Sequence, residues 1–486
     1  MPSAHGLNEP AGLEGVPHSR FHHGRFGRLF RNLDPAEYST PALEALAATM
    51  IDPEDPPATE GGGGWGGQPA DPTKGDNPDI PSGYTYLGQF IDHDITFDPA
   101  SSLLRSNDPN ALHNFRTPRF DLDSLYGEGP DDEPFLYDRA SEKQKMLLEA
   151  RTEPAGEFDL PRNGADEVAL IGDPRNDENV IVSQLQATFL RAHNKLVDVV
   201  QPRPGVSRFD EARRQLRWHY QYVVVNDFLR RIVPKEVLDR ILPEDGSIDW
   251  CRSCQCLFGS GLPFMPVEFS VAAYRFGHSM VRPKYDLNGV ILERPIFKEG
   301  SQKGDGQDLR GFQKLIPQWG VQWPLFFEME GNPQPSRLID TKLAAGLFAL
   351  RDTDRPSLAL RNLQRGVALG VPWGEAVAGA LGVDPLSEGQ LDLAGRGVDA
   401  QWLPEFAGKT PLWFYVLKEA EALNNGLQLG PVGGWIVAQT LICLLAGDPF
   451  SFPNIDPKWT PAKAGLIEHQ GEGDFEMADL VRFATS

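Results

Sequence analysis

Cysteine is scarce, with four in 486 residues, too few for a disulfide framework to carry a chain of this size. Cys251, Cys254 and Cys256 cluster, but zinc there would need a fourth ligand and none stands nearby. Cys443 lies in the apolar run IVAQTLICLLAG and reads as core packing. Long apolar runs are also missing. None reaches the ~20 residues that cross a bilayer, so no membrane span is expected. The stretch MPSAHGLNEPAGLEG has neither a basic nor an apolar segment, so no ordinary secretory signal is expected and the cytoplasm is the expected location. Positive charge is short too. Against 68 Asp and Glu stand 46 Lys and Arg, a net charge of −22 without a basic stripe. That balance argues against nucleic acid as a partner and favours solubility. No fixed-period repeat occurs, which excludes solenoids and propellers.

Helical patterning is what the chain does have. Strand signals are short and scattered, so the fold class expected is mainly α, one large helical domain over residues 79–486 with little strand. Residues 1–78 read as a flexible arm rich in Gly and Pro. It includes EDPP, the run Gly61 to Gly67 broken by Trp65, and His18, His22 and His23 near arginines. Apolar residues at 182, 185, 189, 196 and 200 have the helical period, with Asp173 before Pro174 suited to the cap. His193 lies inside that pattern and reads as a core histidine. Ser207 to Ile232 is expected as a further helix capped by Ser207. Val271, Tyr274, His278 and Val281 form an apolar-facing stripe ended by Pro283. TPLWFYVLKEAEAL and VGGWIVAQTLICLLAG read as two apolar helices closing the fold.

Chemistry concentrates in a few stretches. In YTYLGQFIDHDITFDP, helical spacing puts Gln89 and His93 on one face with Asp92 beside them, while Asp94 points to another neighbour. The stretch Thr117-Pro118-Arg119-Phe120-Asp121-Leu122-Asp123-Ser124 alternates oxygen-bearing side chains. With Asp94 it offers three carboxylates to a hard divalent cation. Arg175 and Glu178 are spaced to share a helical face. In Ala273-Tyr274-Arg275-Phe276-Gly277-His278, the histidine faces an interior, and Gly277 leaves room beside it for something flat. Arg361-Asn362-Leu363-Gln364-Arg365 lies in a polar helix.

GQFIDHD, TPRFDLDSLYG, GDPRNDEN followed by LRAHNKL, AYRFGH and RNLQR occur here in one order. Together they resemble the animal-type haem peroxidase family, within the peroxidase–cyclooxygenase superfamily, from about Tyr84 to Arg365 and more weakly beyond. The resemblance implies haem b with His278 as proximal iron ligand and His93 as distal histidine. It implies Arg175 as catalytic arginine, Gln89 lining the distal pocket, Asn362 bonded to the proximal histidine, and Arg365 and Arg275 among the haem contacts. Asp94, Thr117, Arg119 through its carbonyl, Asp121 and Asp123 match the family's calcium site. Asp92 and Glu178 match the positions that esterify haem methyl groups. Asn179 follows that glutamate and cannot form the sulfonium link some members have.

The activity implied is reduction of hydrogen peroxide through an oxyferryl intermediate, then one-electron oxidation of small donors, halides among the candidates, in a response to oxidative stress. A distal histidine poised near neutral pH would act as base and then acid. No obligate protein partner is expected. Two other readings share the haem site: a fatty-acid dioxygenase of the cyclooxygenase type, and a haem carrier without turnover. The first needs a redox tyrosine, yet none lies between Tyr285 and Tyr415, where Trp319 and Trp323 stand instead. The second has no use for His93 and Arg175 together.

Overall fold

The computed structural model describes residues 26–52, 74–97, 114, 116–150, 158–164, 167–242, 248, 254, 263–350, 356–470 and 473–486. Its longer helices are α1 (Thr40–Ala48), α2 (Gly83–Ile95), α3 (Val180–Val199), α4 (Arg208–Val223), α5 (Leu358–Ala368), α6 (Leu412–Asn424), α7 (Pro431–Gly447) and α8 (Met477–Thr485). Strand is confined to short two-stranded pairs, such as β1 (Phe26–Gly27) with β3 (Met265–Pro266), and β2 (Asp76–Pro81) with β4 (Pro335–Arg337). The mainly helical expectation is therefore met. No helix among the described residues is long and apolar enough to cross a membrane.

Local chemistry sets the helix starts. The Asn179 side chain accepts from the Val182 N–H at 2.9 Å and begins α3. Ser207 and Ser357 cap α4 and α5 in the same way, at 3.0 and 3.2 Å. Asp173 instead caps a short 3₁₀ turn, Pro174–Asp177, that precedes α3. The helix expected over 207–232 is interrupted. After α4 comes a π-helical segment, Val224–Phe228, and then one more α turn. The expected stripe helix around His278 is likewise a 3₁₀ helix, Ala273–His278, where the chain passes between α2 and α6.

At the centre, α3 packs against α2, α4 and α8. Phe90 of α2 stacks on Phe189 of α3 with centroids 4.5 Å apart. On the other side α6 and α7 pack against each other and against the 3₁₀ helix that carries His278.

Two expectations are corrected. Residues 26–52 are not an arm: β1 pairs with β3, α1 packs on α5, and Leu43, Leu46 and Met50 are buried. The buried Glu268 carboxylate accepts the backbone N–H groups of Leu29 and Phe30 at 3.1 and 3.2 Å, fastening the segment down. Gly and Pro density hid the apolar residues that do this. His18, His22, His23 and the Gly61–Gly67 run lie outside the described residues. Second, Cys443 is more than core packing. It forms a disulfide with Cys254 across 189 residues, with Cα atoms 5.4 Å apart. Nothing in either local sequence shows that the loop of Cys254 returns to α7. Cys251 and Cys256 lie outside the described residues.

Candidate active site

Helix α2 is buried nearly all round. Only Gly88, Gln89 and Asp92, one strip at helical spacing, are half-buried. The same partial exposure marks Arg175 and Glu178 beyond the 3₁₀ turn, Arg275, Gly277 and His278, and Arg361 and Arg365 on α5. These groups act on one another electrostatically. Arg275 feels Asp92, Arg365, Arg361 and Arg175, and Glu178 feels Arg175 and Asp92. Burial nonetheless dominates the titration of Glu178, Arg275 and His278. Polar side chains that keep accessible surface deep in a protein line an internal hollow.

His93 is buried on α2. Its Nδ1 lies 2.7 Å from Asn176 Oδ1, and Asn176 Nδ2 donates to Gln186 Oε1 of α3 at 2.9 Å. The amide's donor is thus committed, so Nδ1–H donates to Oδ1 and Nε2 keeps its lone pair. Burial, then the Arg175 charge, pushes the ring's pKa down to about 4. The expected poise near neutrality is therefore corrected: this ring is a neutral base across the ordinary pH range. Asn176 has no separate signal in the sequence.

Arg175 sits beside it. The Asp173 carboxylate takes the Arg175 backbone N–H at 2.9 Å, Nε at 3.1 Å and Nη2 at 2.7 Å. Nη2 also donates to the carbonyls of His93, at 3.1 Å, and Thr96. The guanidinium lies 4.7 Å from the Phe97 ring centroid. Among the described residues Nη1 makes no hydrogen bond, which leaves it the guanidinium nitrogen available to a ligand. Burial works to raise Asp173, but Arg175 and Arg116 more than offset it and hold its pKa down to about 2. Gln89 donates to Glu178 and accepts from Asn179 Nδ2 at 3.2 Å. Burial pushes Glu178 up to about 7. Asp92 accepts from Thr96 Oγ1 at 2.9 Å.

Across the hollow, His278 Nδ1 lies 2.8 Å from Asn362 Nδ2. Asn362 Oδ1 accepts from Arg275 Nη1 at 3.3 Å, and Arg275 Nε donates to Ser270 O at 3.1 Å. Burial, then Arg275 and Arg361, push His278 down to about 3. It is a neutral imidazole, the form that binds a metal. For Nε2 to carry that metal, Nδ1 must hold the proton, and Asn362 must then turn its Oδ1 to it. A Cβ built on Gly277 would meet no atom within 4 Å, so open space lies beside His278. Arg361 escaped the sequence reading, although its four-residue spacing from Arg365 puts both on one face of α5.

The acidic stretches also come together. One carboxylate oxygen from each of Asp94, Asp121 and Asp123 lies within 4.8 Å of the others. Thr117 Oγ1 donates to Asp121 at 2.7 Å, and Arg119 lies buried in the same loop. Burial, then Asp121, pushes Asp94 up to about 8, and burial raises Asp123 well above its usual range. A cationic side chain also reaches this cluster: Arg116 Nη1 is 3.3 Å from Asp123.

An open interior space, a neutral imidazole held through its second nitrogen, and three arginines suited to carboxylates fit a haem. Comparison with known proteins agrees. The model of the family described as animal haem peroxidase matches residues 103–372, more than half of the chain. Human thyroid peroxidase is 23% identical over 390 residues, covering 72% of this chain and 39% of its own length. The chain thus spans about two-fifths of that relative. Among solved structures, peroxidase A from Dictyostelium discoideum shares the fold at TM-score 0.62 and 16% identity, covering 96% of this chain and 93% of its own. The fatty acid alpha-dioxygenase of Arabidopsis thaliana shares it at 0.57 and 14%, covering 96% and 76%. The family match takes in Arg175, Arg275, His278, Asn362 and Arg365, and the chain belongs to the animal haem peroxidase family.

Proposed function

We propose that the chain is a haem peroxidase that reduces hydrogen peroxide and oxidises small donors. The observation that carries this reading is a pair of neutral, hydrogen-bonded imidazoles, His93 and His278, on a hollow ringed by arginines. Haem iron, when bound, supplies the redox chemistry. His278 would hold it through Nε2, with Asn362 fixing the ring, and Arg275, Arg365 and Arg361 would face its carboxylates.

His93 Nε2 is placed to take the proton of an entering peroxide and return it to the departing oxygen. Its low pKa keeps it free to accept, and Asn176 keeps the accepting nitrogen turned outward. Arg175 supplies a permanent positive charge beside that exchange, where negative charge develops. Gln89, bonded to Glu178 and Asn179, walls the same space.

Calcium at Asp94, Asp121, Asp123, Thr117 and the Arg119 carbonyl is part of the proposal. Buried carboxylates this close repel unless neutralised, and calcium favours such oxygen sets. Asp94 directly follows His93, so the ion would brace the helix that carries the base. Ester links from Asp92 and Glu178 to the haem belong to the proposal as well, since both keep partial exposure and Glu178 feels Asp92 and Arg175. A fatty-acid dioxygenase of the cyclooxygenase type is less well supported. It would need a tyrosine hydroxyl turned into the hollow, and Tyr274, which feels Asp92, donates its own to the Gly88 carbonyl at 3.2 Å.

The test is an absorption spectrum of purified protein expressed with haem available, repeated by stopped flow with peroxide. A Soret band that shifts on mixing supports the reading. No Soret band would sink it, and lipid hydroperoxide formation from fatty acid and oxygen would favour the dioxygenase.

A further inference from the structure

The three-carboxylate cluster and the 3₁₀ turn of Arg175 lie on different segments, and one side chain joins Asp123 of the first to Asp173, the cap of the second. Arg116 Nη1 lies 3.3 Å from Asp123 Oδ1. Its Nε and Nη2 donate to Asp173 Oδ2 at 3.2 and 2.8 Å, and Nη2 also donates to the Gly172 carbonyl at 2.8 Å. The buried Asp173 holds Arg175 through Nε and Nη2, and Arg175 Nη2 reaches the His93 carbonyl at 3.1 Å. Asp123, Arg116, Asp173, Arg175 and the backbone of His93 therefore form one unbroken series. The loops meet closely, since a Cβ on Gly172 would lie 2.6 Å from the Asp123 carbonyl oxygen.

We propose that Arg116 is a positioning residue that couples cation occupancy of the Asp94–Asp121–Asp123 cluster to the orientation of Arg175. The proposal rests on the reading that this cluster takes a divalent cation. Arg116 is one positive charge shared between two carboxylates. A cation bound by the cluster neutralises Asp123 in its place and repels the guanidinium. Arg116 then gives its charge to Asp173 alone. Asp173 can serve both guanidiniums, but the better it is neutralised by Arg116, the less strongly it attracts Arg175. Arg175 is thereby released toward the hollow. With the cluster empty of metal, Arg116 divides its charge between Asp123 and Asp173, and Asp173 keeps more negative charge with which to hold Arg175.

A plain structural strut makes the opposite forecast. Deleting a strut loosens the cluster and weakens cation binding, whereas deleting a competing charge strengthens it. The experiment uses the full-length, haem-loaded protein with Arg116→Gln and Arg116→Lys. Calcium affinity is measured by competition with a chromophoric chelator. Cyanide affinity of the ferric protein is read from the Soret shift, with calcium and with chelator.

Arg116→Gln is expected to bind calcium about five-fold or more tightly than wild type, with Arg116→Lys close to wild type. Calcium is expected to tighten cyanide binding in wild type several-fold, and much less in Arg116→Gln, because such coupling is reciprocal. Calcium affinity that is unchanged or weaker in Arg116→Gln overturns the proposal. So does tighter calcium binding with the cyanide effect intact, since the coupling would then run through Asp94 and its neighbour His93. A wild type that binds no calcium removes the cation reading and this inference with it.

Discussion

His93 and His278 are neutral for the same reason, burial beside arginines, yet their second nitrogens are held by different amides for different ends. His278→Ala should lose or misligate haem. His93→Ala should keep haem and react with peroxide on the order of 10²–10⁴-fold more slowly. Haem retention and stopped-flow rates decide it, and the reverse pattern would swap the two assignments. The pH sign follows from the same burial. With its pKa down at about 4, His93 stays a competent base as pH falls from neutrality, so the peroxide rate constant should hold until about pH 4 and then drop. An inflection near 6.5 would show a solvated ring instead. In stability terms the fold excludes a proton that the unfolded chain binds below about 6.5, so His93 costs stability progressively as pH falls from there to about 4.

Asp92 and Glu178 carry the covalent prediction. Burial pushes Glu178 up to about 7, and both residues keep partial exposure beside Arg175 and Gln89. After turnover with peroxide, acid–solvent extraction should leave haem attached through up to two ester links. Asn179 offers no third. Asp92→Val and Glu178→Gln should each leave the other bond, as read by mass analysis of protein and released haem. Complete extraction of unmodified haem from wild type would reject the links.

At the scale of elements, α1 and the disulfide are the sharpest tests of the packing. Leu46 is fully buried, so Leu46→Ala should cost about 2–5 kcal/mol. A flexible arm would make that substitution silent in denaturant titration. Thiol titration of the denatured protein should find two fewer thiols before reduction than after it, because Cys254 and Cys443 are paired. Closing a loop of that length contributes roughly 5 kcal/mol in the chain-entropy account. Cys443→Ser should therefore lower the unfolding midpoint, and an equal thiol count before and after reduction would refute the bond.

At the scale of the whole molecule, calcium should act as a pH-dependent clamp between α2 and the 117–123 loop. Asp94 is raised to about 8, so without the ion it is protonated at neutral pH, and its stabilising contribution is lost as pH rises through 8. Calcium must displace that proton, so its grip strengthens with pH and levels off above about 8. The gain in melting temperature on replacing chelator with calcium should be larger at about pH 9 than at about pH 5. An equal gain at both would detach the effect from Asp94.

How much of this was legible beforehand depends on the range over which each feature is specified. Gln89, Asp92, His93 and Asp94 lie within six residues on one helix, so helical spacing alone put three of them on one site and Asp94 on another. Arg361 and Arg365 were equally local, and the first was simply passed over. The Ser207 cap and the scarcity of strand also follow from neighbours in the chain. Other features depend on segments brought together by folding. Asn176 orients His93 across 83 residues, Arg116 reaches Asp173 across 57, and Cys254 finds Cys443 across 189. No local pattern specifies such meetings, because they depend on which helices pack and at what register. The pKa values belong to the same class. An imidazole in sequence is a group titrating near 6.5, and only burial beside Arg175 makes His93 a base at about 4.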